Sequence, residues 1–117
     1  MTDEMTLNKY KTFVHSENRL MIPRELGESE QDVLALSNAL GGEVGELQNI
    51  VKKIISKNVF YISDHTLHDA FALEAGDALW YLFRLIQQSG FTVDEIMQRN
   101  IEKLTELYEG GTDKWRK

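Results

Sequence analysis

Two pairs of acidic residues lie at helical spacing in segments that are otherwise apolar. Glu43 and Glu46 form the first pair, and Glu74 and Asp77 form the second. Residues three positions apart are neighbours on one side of a helix, because a turn takes about 3.6 residues. Ionised carboxylates are rarely buried without partners. The two pairs are therefore out of place as packing residues, and they indicate a site that uses carboxylate chemistry.

Spacing alone leaves two interpretations of these four acids open. If they converge on one cleft, they repel one another and raise each other's pKa, and a hard divalent cation that prefers oxygen ligands removes that penalty. Alternatively, the acids form salt bridges with bases on the same helices, such as Lys53 and Arg84, or the helices are less buried than their composition suggests. Acids at this spacing are common on helix surfaces, so either pair alone is a weak signal.

Histidine offers little support for a rival metal centre. A di-iron helical bundle uses Glu-x-x-His pairs, and neither Glu46 nor Glu74 is followed by histidine at that spacing. His65 and His68 are three positions apart beside acidic residues, a pattern more typical of a solvated helix start than of a zinc site. Cysteine is absent, which excludes thiolate–zinc sites and disulfides.

Four predicted helices carry these residues, which makes the fold class all-α. The predicted helices cover about residues 7–18, 29–57, 65–89 and 92–109. Their starts are signalled by Thr6, Ser29 and the capping box Thr92-Val-Asp-Glu95. Residues 58–63 look β-like, but one short run cannot make a sheet. The prediction is a single domain over residues 1–117, a bundle of four to five helices with a flexible tail at about 110–117.

Apolar residues predict how the helices pack. The third helix is apolar nearly all round from Ala70 to Ile86, which predicts a central position and places Trp80 and Tyr81 in the core. The second helix contains three interior glycines, and each costs roughly 1 kcal/mol relative to alanine. They predict a kink or the close approach of another helix, and they are Gly41, Gly42 and Gly45. The first helix has one apolar stripe, formed by Leu7, Tyr10, Phe13 and Val14.

Composition restricts the classes of partner. The chain has 117 residues, with 19 acidic and 13 basic side chains and a net charge of −6. A nucleic-acid polymer needs a basic face that displaces counterions, so it is not an expected partner. A small phosphate ligand remains compatible, because a bound cation reverses the local field. No apolar run approaches the ~20 residues that span a bilayer, and no secretory signal is visible. We expect a cytoplasmic protein without membrane contact.

The order of the motifs resembles that of the MazG-like nucleoside triphosphate pyrophosphohydrolases, an all-α superfamily that includes the helical dUTPases and dCTPases. Its pattern is Glu-x-x-Glu, a spacer, Glu-x-x-Asp, and then Asn-x-x-Lys on the following helix. The matching motifs are Glu43-Val-Gly-Glu46, Lys52-Lys53, Glu74-Ala-Gly-Asp77 and Asn100-Ile-Glu-Lys103-Leu104. The match spans about residues 36–104, and Leu7-Asn-Lys-Tyr-Lys resembles the first helix of short single-domain members, some of them carried by phages.

The resemblance implies hydrolysis of a nucleoside triphosphate between the α and β phosphates, in the host cytoplasm if a phage encodes the protein. It implies that Mg²⁺, or Mn²⁺ in its place, is held by Glu43, Glu46, Glu74 and Asp77. A general base accepts the proton of the attacking water, and Glu46 is assigned that role. The implied triphosphate contacts are Lys53, Asn100 and Lys103. Similar proteins form dimers or dimers of dimers, so a homodimer or homotetramer is expected.

One position departs from the family pattern. Where an arginine is expected after the Asn-x-x-Lys motif, this chain has Leu107, which puts the strength of phosphate binding in question more than the metal site. Lys114 or Arg116 could supply the missing charge. The alternative function is a non-catalytic helical interaction module, or a protein that senses nucleotide without hydrolysing it. Retention of all four acids weighs against a pure scaffold, which gains nothing from crowding them.

Overall fold

The computed structural model of the chain describes residues 4–16, 29–57 and 65–110. These residues form four α-helices and no strand, so the all-α prediction is confirmed. The helices are α1 (Leu7–Ser16), α2 (Ser29–Lys57), α3 (His65–Gln88) and α4 (Val93–Gly110). The ends of α2, α3 and α4 agree with the predicted ends to within one residue. The predicted end of α1 at residue 18, the β-like run at 58–63 and the tail after residue 110 lie outside the described residues.

The helix starts owe their positions to the capping residues. The Thr6 hydroxyl accepts a hydrogen bond of 3.2 Å from the Lys9 amide at the start of α1. Before α4, the Glu95 amide donates to the Thr92 hydroxyl and the Thr92 amide donates to the Glu95 carboxylate, both at 3.1 Å. This reciprocal pair satisfies two amides that the helix itself leaves without partners. The predicted caps at Thr6 and Thr92 are confirmed.

The turn between α3 and α4 requires a glycine. Gly90 has a φ of 90°, a left-handed conformation that costs an L-residue roughly 1–2 kcal/mol. Its amide donates to the Gln87 carbonyl and the Phe91 amide donates to the Ile86 carbonyl, each at 3.2 Å. The two bonds form a Schellman motif, which closes α3 and sets the direction in which the chain enters α4.

The core lies where α1, α2 and α3 meet. Val14, Leu36, Trp80 and Tyr81 form its buried cluster, which confirms the prediction for the two aromatic residues of α3. The partly buried residues around it are Tyr10, Ala39, Leu40, Phe83 and Leu85. The main helix pair is α2 with α3, and this pair carries the four acids of the two motifs.

Arg84 joins α1 to α3. Its guanidinium donates to the carbonyls of His15 at 2.8 Å and Val14 at 3.4 Å, and to the Gln88 side chain at 3.3 Å. Carbonyls in the last turn of a helix lack partners within the helix and carry the negative end of its dipole. Arg84 therefore caps the C-terminus of α1. The alternative prediction, a salt bridge between Arg84 and the acids, is not found among the described residues.

Two packing predictions are met only in part. The helix α3 packs against α1, α2 and α4, as a central helix does, but it is not covered all round, since Leu73 is 70% exposed and Leu79 and Leu82 are also exposed. Among the described residues, no neighbouring helix approaches the glycines of α2, because a Cβ placed on any of them meets no other atom within 4 Å. The alternative, a kink at these glycines, stays a prediction. Among the described helices, none is long and apolar enough to cross a membrane.

Candidate metal centre

Three carboxylates meet between α2 and α3. Glu43 and Glu46 stand one turn apart on α2, and Glu74 faces them from α3. One oxygen atom from each side chain lies within 4.8 Å of the other two. This separation allows a single cation to contact all three residues, because hard cations bind carboxylate oxygens at about 2.0–2.6 Å.

The oxygens of this cluster lack donors. Glu43 and Glu74 are half-buried, and the Oε2 atom of each is buried without a hydrogen-bond partner, whereas Glu46 is exposed. Burial of an acceptor without a partner costs about 1–3 kcal/mol, and more when the group is charged. The groups in reach of these oxygens are the neighbouring carboxyl groups, which form hydrogen bonds with one another only when one of them holds a proton.

The cluster raises the pKa of Glu43 and that of Glu74. The pKa of Glu74 is raised to about 7, first by its hydrogen bond with Glu46, then by burial and by its hydrogen bond with Glu43. The pKa of Glu43 is also raised, and burial is the main cause, with the charges of Glu46 and Asp77 acting in the same direction. A bound divalent cation would reverse these shifts, since it stabilises the ionised form of each carboxylate.

The salt-bridge interpretation of the acids finds no support in the described part of the chain. The ion pair present there joins Lys11 to Asp94, away from the cluster. Arg84 is occupied by the end of α1. Lys53 is exposed and makes no ion pair with a described residue. The cluster therefore has the uncompensated negative charge that suits a cation site, rather than the balanced charge of an ion-pair network.

Asp77 stands beside the cluster rather than in it. It is half-buried one turn beyond Glu74 on α3, and its charge raises the pKa of Glu43. Burial raises the pKa of the Tyr10 and Tyr81 phenols, and the charge of Asp77 raises both further. The structure thus brings three of the four predicted ligands together and leaves the fourth between the cluster and two tyrosines.

The two tyrosines were not predicted as site residues. Tyr81 follows Asp77 by four positions, and residues at this spacing lie on the same side of a helix. The sequence could therefore have predicted that Tyr81 lies beside Asp77 on α3. Tyr10 had no comparable signal, because it reaches Asp77 only through the docking of α1 on α3. Its ring packs edge-on against Phe83 with a centroid distance of 5.5 Å. The charge of Asp77 therefore acts on one phenol of α1 and one of α3.

The predicted phosphate contacts lie farther along α2 and on α4. Lys53 is seven residues beyond Glu46 on α2, about 10 Å along the helix axis. Asn100 is exposed and Lys103 half-buried, both on α4, which packs on α3. The charges that act on Glu43 and Glu74 are all acidic, so among the described residues no lysine charge acts on either carboxylate.

Comparison with known proteins agrees with the motif order. A family model described as the MazG nucleotide pyrophosphohydrolase domain matches residues 31–109, which include α3 and nearly all of α2 and α4. The chain is also similar to the Gene 37 protein of Mycobacterium phage L5, with 38% identity over 65 residues. That match covers 56% of this chain and 56% of the phage protein, so the chain spans about half the length of this relative. No solved structure gives a significant match.

Proposed function

Because the chain belongs to the MazG nucleotide pyrophosphohydrolase family, we propose that it hydrolyses nucleoside or deoxynucleoside triphosphates between the α and β phosphates. The products are a nucleoside monophosphate and pyrophosphate. The observation that carries the proposal is the cluster of Glu43, Glu46 and Glu74, whose oxygens converge without a donor. Such a cluster is unfavourable without a cation, because its charges repel, and favourable around a cation that also holds a triphosphate.

The donor set fits magnesium. Three carboxylates in reach of one point supply the oxygen ligands that Mg²⁺ prefers, and the unpartnered Oε2 atoms of Glu43 and Glu74 are available to it. We propose that Glu43, Glu46, Glu74 and Asp77 hold Mg²⁺, with Mn²⁺ able to replace it. When bound, the metal would neutralise phosphate charge and lower the pKa of a bound water. Asp77 requires a small shift of its side chain to join the other three.

Individual side chains are assigned the remaining roles in the proposed hydrolysis. Glu46 is the exposed member of the cluster, so it has the best access to solvent and is the proposed general base that accepts the proton of the attacking water. Glu43 and Glu74 are held by the packing of α2 on α3, which suits them to a fixed role as ligands. Lys53, Asn100 and Lys103 are the proposed contacts to the triphosphate oxygens, with the lysines contributing positive charge.

We also propose that the functional form is a homodimer or homotetramer. An apolar stripe runs along α4 at alternating spacings of four and three, the spacing of a helix–helix seam. Its members are Met97, Ile101, Leu104 and Tyr108, all of them exposed. The exposed leucines of α3 and the open glycine positions of α2 leave further surface for a second copy.

A pyrophosphate assay with a panel of NTPs and dNTPs tests the proposed activity. In the presence of Mg²⁺ we expect release of pyrophosphate and monophosphate from at least one nucleotide, and little turnover by Glu46→Gln. A matched control is Glu102→Gln, which removes an exposed carboxylate of α4 outside the cluster. Folded protein that hydrolyses no nucleotide would refute the enzyme proposal, and release of orthophosphate would place the scissile bond elsewhere.

A further inference from the structure

A second cleft lies between α1 and the turn that joins α3 to α4. Its volume is about 440 Å³, within the range of small-molecule sites. Asn8, Thr12 and His15 line the α1 side, and Gln87 and Phe91 line the opposite side. Gln87 follows Glu74 by thirteen residues on α3, about 20 Å along the helix axis. The cleft is therefore separate from the carboxylate cluster.

The charges in this cleft cancel. Lys11 and Asp94 line it together and form an ion pair that links α1 to the first turn of α4. The Lys11 side chain is only 17% exposed, so its ammonium group contacts Asp94 and has little contact with solvent. A ligand with several negative charges would have to displace Asp94 to use this lysine. The cleft thus favours an uncharged ligand over a triphosphate.

Polar groups in the cleft remain available for such a ligand. Within the described part of the chain, the side chains of Asn8 and Thr12 make no hydrogen bond. Gln87 donates through Nε2 to the Lys11 carbonyl at 3.2 Å, and its Oε1 atom has no partner. The Thr92 hydroxyl is already used by the cap of α4. The free groups therefore comprise an amide and a hydroxyl on α1 and an acceptor on α3.

An aromatic ring completes the cleft. Phe91 is 42% exposed, an unusual position for a phenylalanine that follows a tight turn. The guanidinium carbon of Arg99 lies 5.8 Å from the ring centroid, over the ring. This cation–π contact fixes the orientation of the ring. A planar ligand in the cleft would find an aromatic surface beside groups that hydrogen-bond its edge.

We propose that this cleft binds the base of a nucleoside, with the base stacked on Phe91 and its edge paired with Asn8. Base–aromatic stacking accepts every base, and an asparagine amide pairs through one donor and one acceptor with a base edge that offers both, as the N6 and N7 atoms of adenine do. Adenosine is therefore the probe for this site. The inference does not depend on the proposed hydrolysis, because no residue of the carboxylate cluster takes part in it.

Calorimetric titration of the full chain with adenosine in EDTA tests this site, since removal of divalent metal disables the carboxylate cluster. We expect saturable binding that Asn8→Leu and Phe91→Leu each weaken about tenfold. Asn38→Leu is the matched control, because Asn38 is an exposed asparagine of α2 outside the cleft. Glu74→Gln should bind adenosine as the unmodified protein does.

Three outcomes would overturn the proposal. The first is the absence of saturable adenosine binding at concentrations up to about 10 mM. The second is binding that Glu74→Gln weakens and Asn8→Leu does not, which would place the nucleoside at the carboxylates. The third is unchanged affinity in both Asn8→Leu and Phe91→Leu, which would place the nucleoside outside the cleft. Pyrophosphate release from nucleotides is a separate measurement, and neither its presence nor its absence alters these results.

Discussion

Glu43 on α2 and Glu74 on α3 face each other, and each keeps one carboxylate oxygen buried without a hydrogen-bond partner. Glu46 approaches both from the solvent side. The packing of the two long helices thus forces like charges together in the metal-free chain, which is unfavourable unless a proton or a cation is shared. This relationship connects the fold to the proposed chemistry, and it can be measured without any nucleotide.

Metal-free stability should depend on pH through Glu74. Its pKa in the folded chain is raised to about 7, whereas a glutamate in an unfolded chain has a pKa of about 4.3. The folded state therefore binds more protons than the unfolded state within this window, so the contribution of Glu74 to stability falls as the pH rises through it. Urea unfolding in EDTA at about pH 5.5, which lies inside the window, and at about pH 8, which lies above it, measures the effect. In Glu74→Gln the fall should be smaller; an identical pH dependence in both proteins would contradict the prediction.

Magnesium should stabilise the native state. A ligand that binds only the folded protein adds about 2.7 kcal/mol at a hundredfold excess over its Kd. For a chain of this size that corresponds to a rise of about 10 °C in Tm. Glu43→Gln should abolish most of the rise in a thermal scan with MgCl₂, whereas Glu102→Gln, outside the cluster, should retain it. An equal rise in both variants would show that the cation binds elsewhere.

Removal of the Arg84 guanidinium should loosen α1. Arg84→Met keeps most of the aliphatic stem and loses the hydrogen bonds to the Val14 and His15 carbonyls. The expected loss is about 2 kcal/mol in the free energy of unfolding, because hydrogen bonds from charged donors are worth about 1.5–3 kcal/mol. Lys52→Met, an exposed position of α2, should change stability by less than about 0.5 kcal/mol. Equal effects of the two changes in urea unfolding would rule out a capping role for Arg84.

A charge within the apolar stripe of α4 should weaken self-association. Ile101 is 58% exposed in the single chain, so Ile101→Glu should leave the fold of the monomer intact while disfavouring burial of this surface against a second copy. Light scattering after size-exclusion chromatography measures the mass. Arg99→Glu introduces the same side chain on another side of α4 and should remain associated. A monomeric unmodified protein, or an Ile101→Glu variant of unchanged mass, would contradict the proposed interface.

Phosphate contact from α4 should affect substrate binding more than metal binding. Lys103→Ala is expected to raise KM for the nucleotide about tenfold, the effect of losing about 1.4 kcal/mol of interaction with a phosphate. The rise in Tm with Mg²⁺ should be unchanged, because Lys103 does not belong to the carboxylate cluster. Lys52→Ala provides the matched control. An unchanged KM would remove Lys103 from the site.

Helix positions were predictable because their signals are local. The caps at Thr6 and Thr92 and the glycine at position 90 act within one turn of the chain, and the structure contains the expected hydrogen bonds at each. The pairing of Glu43 with Glu74 was predictable for a related reason. Both acids lie within apolar stripes, one on α2 and one on α3. When the two stripes pack against each other, the acids within them are brought together at the helix–helix contact.

Contacts between helices that depend on where a third element docks were not predictable in the same way. The sequence suggested Arg84 as a partner of the acids, but the docking of α1 placed two free carbonyls closer to it. The docking of α1 also brought Tyr10 beside Asp77, and it opened the cleft around Asn8 and Phe91. None of these residues shares a repeat or motif that would reveal the contact.

The sequence by itself therefore determined the helices, their caps and the identity of the acids that meet between α2 and α3, because these follow from short-range hydrogen bonding and from the period of the helix. Only the tertiary structure decided that three acids converge while Asp77 stands aside, and that α3 is exposed along one side. These outcomes depend on how far each helix is rotated and where it crosses its neighbour, which is set by the sum of many weak contacts rather than by any single residue.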